Sequence, residues 1–277
     1  MQLTNSSKIR ILSAIILMML VMLVFSLGKK AIMLSFFMLA LIVFDEIIKY
    51  FFKHTREEYA YWLFMAIFVF ISVFLYQIKL INFVVWSNSV IILSMIFQIA
   101  LLLGMLFKVT WEKDYIFLNP FFWCVNLSLI FLSFVVLLNQ TEWFESLTFF
   151  VLISIVTDSM AWVVGKKFGK RKLYPEVSPN KTIEGALGGW FFAGILIVGY
   201  LWFKDTQLLN NLQILLCGLF LPVLAICGDL VQSFFKRMVH LKDSSKRIPG
   251  HGGFYDRLDS HLFLIPFFVF FTKMVQA

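Results

Sequence analysis

Residues 121–138 read FFWCVNLSLIFLSFVVLL, a run without one charged side chain. Wound as a helix at ~1.5 Å per residue, such a run nearly crosses a hydrocarbon core of ~30 Å. Similar runs recur at roughly 11–27, 31–48, 59–76, 83–107, 146–165, 185–203, 212–235 and 259–275, so nine spans are expected. The composition agrees: of 277 residues 61% are hydrophobic, 34 are Phe and 14% are charged, with a mean hydropathy of +0.88. Backbone inside lipid must satisfy its own hydrogen bonds, and these runs are too long and continuous for strands, so the expected fold is an all-α polytopic membrane protein, helical throughout.

Lys and Arg at the ends of spans are retained on the cytoplasmic side. With nine spans, 19 of the 24 basic residues share a side with the N-terminus, and Lys29, Lys30, Lys79, Lys204 and Lys273 fall on the other. The prediction is a cytoplasmic N-terminus and an external C-terminus. The first span lacks an Ala-x-Ala-like cleavage site before Lys29 and is read as a retained helix. Cys124, Cys217 and Cys227 lie in apolar spans without metal-ligand spacing and are expected to pack as small hydrophobes.

The chain changes character near residue 145. Residues 1–145 are expected to form N-terminal transmembrane helices, and residues 146–277 a catalytic transmembrane region around a polar cavity facing the cytoplasm. In the second part Asp158 stands inside an apolar span, where a carboxylate is costly unless it meets a cation, a metal or water. Lys166, Lys167, Lys170, Arg171 and Lys172 follow, a cluster that would anchor the span or gather anionic head groups. Next comes Ser178-Pro-Asn-Lys181-Thr-Ile-Glu184-Gly185: a turn, a hydroxyl, a cation and a helix start able to cradle phosphate.

Residues 228–260 form a second polar stretch, GDLVQSFFKRMVHLKDSSKRIPGHGGFYDRLDS. Three carboxylates, Asp229, Asp256 and Asp259, are mixed with Lys236, Arg237, Lys242, Lys246, Arg247 and Arg257, the chemistry of a metal-bound polyphosphate. Asp229, Ser233 and Lys236 recur at helical spacing and share one face. Asp256 and Asp259 would share a face if helical. Gly250, Gly252 and Gly253 permit close backbone approach around His251, which either donates to a leaving pyrophosphate or holds the loop. Lys246 and Arg247 read as a solvated or lipid-facing pair, Asp243 as a partner of a neighbouring lysine, and His54, His240 and His261 as surface or interface residues.

Taken together, the two stretches resemble the bacterial type of phosphatidate cytidylyltransferase. Ser233, Lys236, Arg237, Lys242, Asp243, Ser245, Ile248, Pro249, His251, Gly252, Gly253, Phe254, Asp256, Arg257, Leu258 and Asp259 fill the C-terminal signature of that family, and residues 158–185 resemble its earlier segment. The resemblance covers about residues 150–265. Gln232 stands where Glu is usual, Trp162 where Tyr is usual and Asn180 where Lys is commoner.

The resemblance implies transfer of the cytidylyl group of CTP to phosphatidate, giving CDP-diacylglycerol and pyrophosphate, by a multi-pass protein of the bacterial inner (cytoplasmic) membrane. On that reading Asp229 and Asp256 are expected as the main metal ligands, for Mg²⁺, with Asp259 and Asp158 as ligands of a second ion such as K⁺ or as supports behind the first, and related enzymes suggest a homodimer. Asp229, Asp256, Lys236, Arg237, His251 and Arg257 become candidate catalytic residues; Ser178, Lys181, Ser233, Lys242, Gly252 and Gly253 become substrate-binding candidates. A transporter would show two similar halves with broken helices, and these halves are dissimilar. A cytidylyltransferase for another lipid phosphate and a non-catalytic lipid-binding paralogue remain as alternatives.

Overall fold

A computed structural model describes residues 5–79, 82–108, 117, 119–204, 211–250 and 252–276. Nine helices are described: α1 Asn5–Ser26, α2 Lys29–Glu46, α3 Tyr59–Ile78, α4 Phe83–Leu106, α5 Pro120–Leu138, α6 Trp143–Phe168, α7 Ile183–Phe203, α8 Asn211–Met238 and α9 Asp259–Gln276. They coincide closely with the nine expected spans. Seven of them, α2 to α8, are long and apolar enough to cross a membrane; α2 does so together with the π-helical turn Ile47–Phe51 that continues it. The chain is an all-α polytopic membrane protein.

Local chemistry fixes the helix starts. Asn82 accepts from the amides of Val84 and Val85, both at 3.1 Å. Asn119 caps α5 just before Pro120, which lacks the donor that a first turn would leave unpaired. Among the described residues one loop departs from helix: β1 Lys172–Tyr174 and β2 Ser178–Thr182 pair antiparallel, Lys172 opposite Thr182 and Tyr174 opposite Ser178. The expectation of helix throughout is corrected here. Its physical basis, the need of lipid-embedded backbone to bond internally, does not reach a loop outside the spans.

Helix α5 is apolar all round and buried nearly all along its length, as its composition requires. It packs against α2, α3, α4, α6 and α9, so one apolar core runs through both parts of the chain. Between the central helices Ser72 Oγ donates to Ser128 Oγ at 2.9 Å and Gln98 Nε2 to Asn126 Oδ1 at 2.8 Å. Cys124 and Cys217 are buried as small apolar groups.

Polar contacts sort the helix ends into two groups. At one end Arg247 meets Asp45, Ser13 Oγ donates to Pro249 O at 3.2 Å and Lys108 lies 3.0 Å from Glu176. At the other end Lys29 donates to Asn139 at 3.3 Å, Lys204 to Glu142 at 2.6 Å and Lys273 to Ser87 at 2.7 Å. Each helix therefore runs against its predecessor.

Candidate active site

Close packing of α6 on α7 builds the first wall. A Cβ added to Gly185 would lie 2.6 Å from Ala161 O, and one added to Gly189 2.5 Å from Thr157 O, so any side chain there would push the helices apart. Asp158 of α6 is thereby held beside the start of α7. That start is secured twice. Thr182 Oγ1 accepts from Gly185 N at 3.2 Å, and the Glu184 carboxylate accepts from the amides of Lys170 at 2.9 Å and Arg171 at 3.1 Å. Arg237, at the end of α8, donates to Val177 O at 3.2 Å and Leu241 O at 3.0 Å, tying the hairpin turn down. The hairpin is thus a fixed platform for Lys181.

From this platform Lys181 reaches α8 and forms an ion pair with Asp229, whose other oxygen accepts from Ser233 Oγ at 3.3 Å. Asp158, Lys181 and Asp229 line one cavity of about 470 Å³, together with Trp162, Lys166 and Asn180. The Lys166 ammonium sits 4.9 Å from the centre of the Trp162 ring. Asp259, at the first turn of α9, is close enough to Asp229, Lys181 and Lys236 to interact with their charges. Gln232 Nε2 donates to Asp259 O at 2.9 Å, so the residue that replaces the usual Glu steadies the backbone of this carboxylate.

A second cluster lies on the loop between α8 and α9. Lys236 and Asp256 form a buried ion pair at 2.8 Å. The other oxygen of Asp256 accepts from Ser244 N and Gly253 N, both at 2.8 Å, and from Ser244 Oγ at 3.1 Å. Burial works against charge on this carboxyl, but Lys236 and the two amides outweigh it and hold its pKa below the usual carboxylate range. Asp256 is thus saturated by its own loop. Asp256 and Asp259, three apart, do not share one helix: Asp256 lies in a 3₁₀ turn, Tyr255–Arg257, whereas Asp259 begins α9.

Ser178 is half-buried on β2, whereas Lys242, Asp243, Lys246 and Arg257 are exposed. Gly252 has a left-handed φ of 82° and closes a tight turn in which Ile248 N donates to Gly252 O at 2.8 Å. His251 lies outside the described residues. His54 sits 2.6 Å from Glu58, and Arg247 pairs with Asp45 instead of facing solvent.

Sequence reasoning passed over Asp45 and Glu46. Glu46 is fully buried, and its carboxylate accepts from Ser245 Oγ at 2.7 Å, Ser244 Oγ at 2.9 Å, Tyr255 N at 3.0 Å and Phe254 N at 3.2 Å. A Cβ on Gly253 would overlap Ser244 Oγ and lie 2.7 Å from Glu46 Oε2, so this glycine is the space into which Glu46 closes. The available signal was two adjacent carboxylates ending an apolar span, the same signal that singled out Asp158.

Asp158, Asp229 and Asp259 offer hard oxygen donors of the kind divalent cations prefer. Among the described residues no three Asp, Glu, His or Cys side chains are placed to cage an ion by themselves.

Comparison with known proteins gives a consistent result. The sequence model of the cytidylyltransferase family matches residues 8–275. A phosphatidate cytidylyltransferase of Staphylococcus haemolyticus is 30% identical over 260 residues, 94% of this chain and 96% of that protein. The phosphatidate cytidylyltransferase of Bacillus subtilis is 41% identical over 152 residues, 54% of this chain and 56% of that protein. That of Staphylococcus aureus strain COL is 43% identical over 129 residues, 46% of this chain and 49% of that protein. The last two matches span about half the length of those relatives.

Proposed function

Because the chain belongs to the cytidylyltransferase family, we propose that it transfers the cytidylyl group of CTP to phosphatidate, within the cytoplasmic membrane of a bacterium. A phosphate oxygen of the lipid attacks the α-phosphorus of CTP. The bond from that phosphorus to the oxygen bridging to the β-phosphate breaks, and pyrophosphate departs with the electron pair. The observation that carries this reading is the Lys181–Asp229 pair beside Asp158 in a cavity that also has apolar walls, which suits a reaction between a polyanion and a lipid.

Both reactants are anions, so the protein must neutralise charge, align nucleophile with leaving group and stabilise the transferred phosphate. Lys181 supplies mobile charge: it is paired with Asp229 at rest and turns to phosphate when nucleotide arrives. Asp229 and Asp259, with Asp158 behind them, would hold Mg²⁺; when bound, the ion offsets phosphate charge. Any second ion, such as K⁺, would use the same carboxylates. Ser233 orients Asp229, and Lys236 and Asp256 fix the loop that closes the site. Gly252 and Gly253 shape that loop, Lys242, Arg237 and Arg257 complete the positive surround, and Ser178 adds a hydroxyl donor. A homodimer belongs to the same reading; the lipid-facing groove of about 470 Å³ that contains Trp190, Gly194 and Gly218 offers a second copy a surface.

The test is pyrophosphate release from CTP and phosphatidate by the purified protein with Mg²⁺. Asp229→Asn and Lys181→Met should each lower turnover by about 10²- to 10³-fold, the scale of removing one electrostatic stabiliser. A wild type that releases pyrophosphate only with a different lipid phosphate would overturn the choice of acceptor.

A further inference from the structure

A second groove, of about 410 Å³, opens between α2, α3 and the loop that follows α8, and it shares no lining residue with the cavity of Asp229. Its walls are apolar, formed by Leu41, Trp62, Met65 and Phe254. The charged groups that line it are Asp45, Arg56 and Arg247; Arg247 is taken up by Asp45 and also lies 3.9 Å from Glu46, so Arg56 is the lining cation that faces outward. Asp45 is further committed to Tyr61 Oη and to Lys49, at 2.9 Å. Arg56 has its guanidinium 3.5 Å from Asp45 and its side chain 61% exposed, so most of its donors face outward. Of the two carboxylates that follow it in the same loop, Glu57 and Glu58, the second is turned to His54 and Thr55.

A groove with apolar walls, an outward-facing cation at one end and an exposed Trp suits a molecule that is itself apolar with an anionic head. Trp62 is 58% exposed, and its Nε1 donates to Arg56 O at 2.8 Å, which fixes the indole at the groove's mouth, where interfacial Trp residues sit. The same end of the molecule carries the hairpin and the loop after α8. We propose that this groove holds one anionic phospholipid, with its phosphate on the outward-facing guanidinium donors of Arg56 and its chains along Leu41, Trp62 and Met65. Planar guanidinium groups match phosphate oxygens in pairs. Arg247 and Phe254 belong to the loop that Glu46 clamps, so the bound lipid touches the back of the segment whose front closes the active site. This proposal rests on charge and shape alone and survives if the acceptor assignment fails.

The experiment uses the full chain in phosphatidylcholine nanodiscs, without CTP. A small fraction of lipid is replaced by bromine-labelled phosphatidylglycerol or, in parallel, by bromine-labelled phosphatidylcholine, and tryptophan emission is compared between wild type and Trp62→Phe to isolate Trp62. The Trp62 signal should be quenched with roughly fivefold preference for the anionic lipid, about what one uncompensated cation near a lipid surface supplies. Arg56→Gln should bring that preference down to the phosphatidylcholine level, and Arg56→Lys should restore part of it, with unchanged thermal unfolding showing that both variants are folded. Equal quenching by the two lipids would mean an ordinary lipid-facing surface and overturn the proposal. So would a preference that Arg56→Gln leaves intact, or one abolished by soluble glycerol phosphate, which would assign the site to a free phosphate.

Discussion

Asp229 and Asp256 are both carboxylates paired with lysine, yet their surroundings give them different work. The Lys181–Asp229 pair is partly open, with side chains 29% and 22% exposed, while the Lys236–Asp256 pair is buried at 8% and 5%. Asp256→Asn leaves a buried ammonium without its counter-charge, and such a loss costs about 3–5 kcal/mol. Asp229→Asn should cost less than about 1 kcal/mol of stability, in line with exposed pairs, and act on turnover instead. Thermal unfolding of the two variants in one detergent distinguishes them. Because the Asp256 carboxyl is held below its usual range, its stabilisation is present above the unfolded value of ~3.9 and is lost only as pH falls through the lower folded value. The melting advantage of wild type over Asp256→Asn should therefore persist from pH 7 down to about 4.5; an advantage already gone at pH 5 would show that the carboxyl is not held down. These residues were legible in the sequence because a charge in an apolar chain demands a reason. Their division of labour was not, since it depends on partners 48 and 20 positions away.

At the scale of elements, the helices were legible to within about three residues except at the start of α1, which lies six residues earlier than expected, because apolar length alone specifies a span. The hairpin was not, since 172–182 carries no alternation and is set by Thr182, Glu184 and Arg237 acting from outside it. Nor was the link from α2 to the loop after α8, which joins positions about 200 apart and turns on one carboxylate. Four donors converge on Glu46, and a neutral amide cannot accept from all of them with the strength of an ionised group. Glu46→Gln should shift the loop by about 1 Å and lower kcat by about 100-fold, the scale of such a misplacement, with KM for CTP within a few-fold of wild type. Glu46→Asp, which keeps the charge on a shorter arm, should recover part of kcat. If Glu46→Gln turns over like wild type, the loop is held by Asp256 alone; if kcat and KM fail together along with folding, Glu46 serves stability rather than position.

For the whole molecule, the candidate site is assembled at one end of the helix bundle, the end at which most of the basic residues of the loops lie. Lys108–Glu176, Arg247–Asp45 and the Lys181–Asp229 pair gather at the end that holds most of the basic residues, while Lys29, Lys204 and Lys273 find partners at the other. Under the proposed function, retention of Lys and Arg in the cytoplasm would put the candidate site on the side of CTP, with the acceptor coming from the lipid around α6, α7 and α8. Two exposed carboxylates report the arrangement without touching the site: Glu176 in the hairpin turn and Glu142 before α6. In right-side-out vesicles a membrane-impermeant maleimide should label Glu142→Cys at once and Glu176→Cys only after permeabilisation, in a Cys227→Ser background that leaves the buried Cys124 and Cys217. The reverse pattern would invert the orientation and put the candidate site on the face without nucleotide. Labelling of both from one side would break the antiparallel alternation of the helices, and with it the packing that brings Asp158 of α6 and Asp229 of α8 into one cavity.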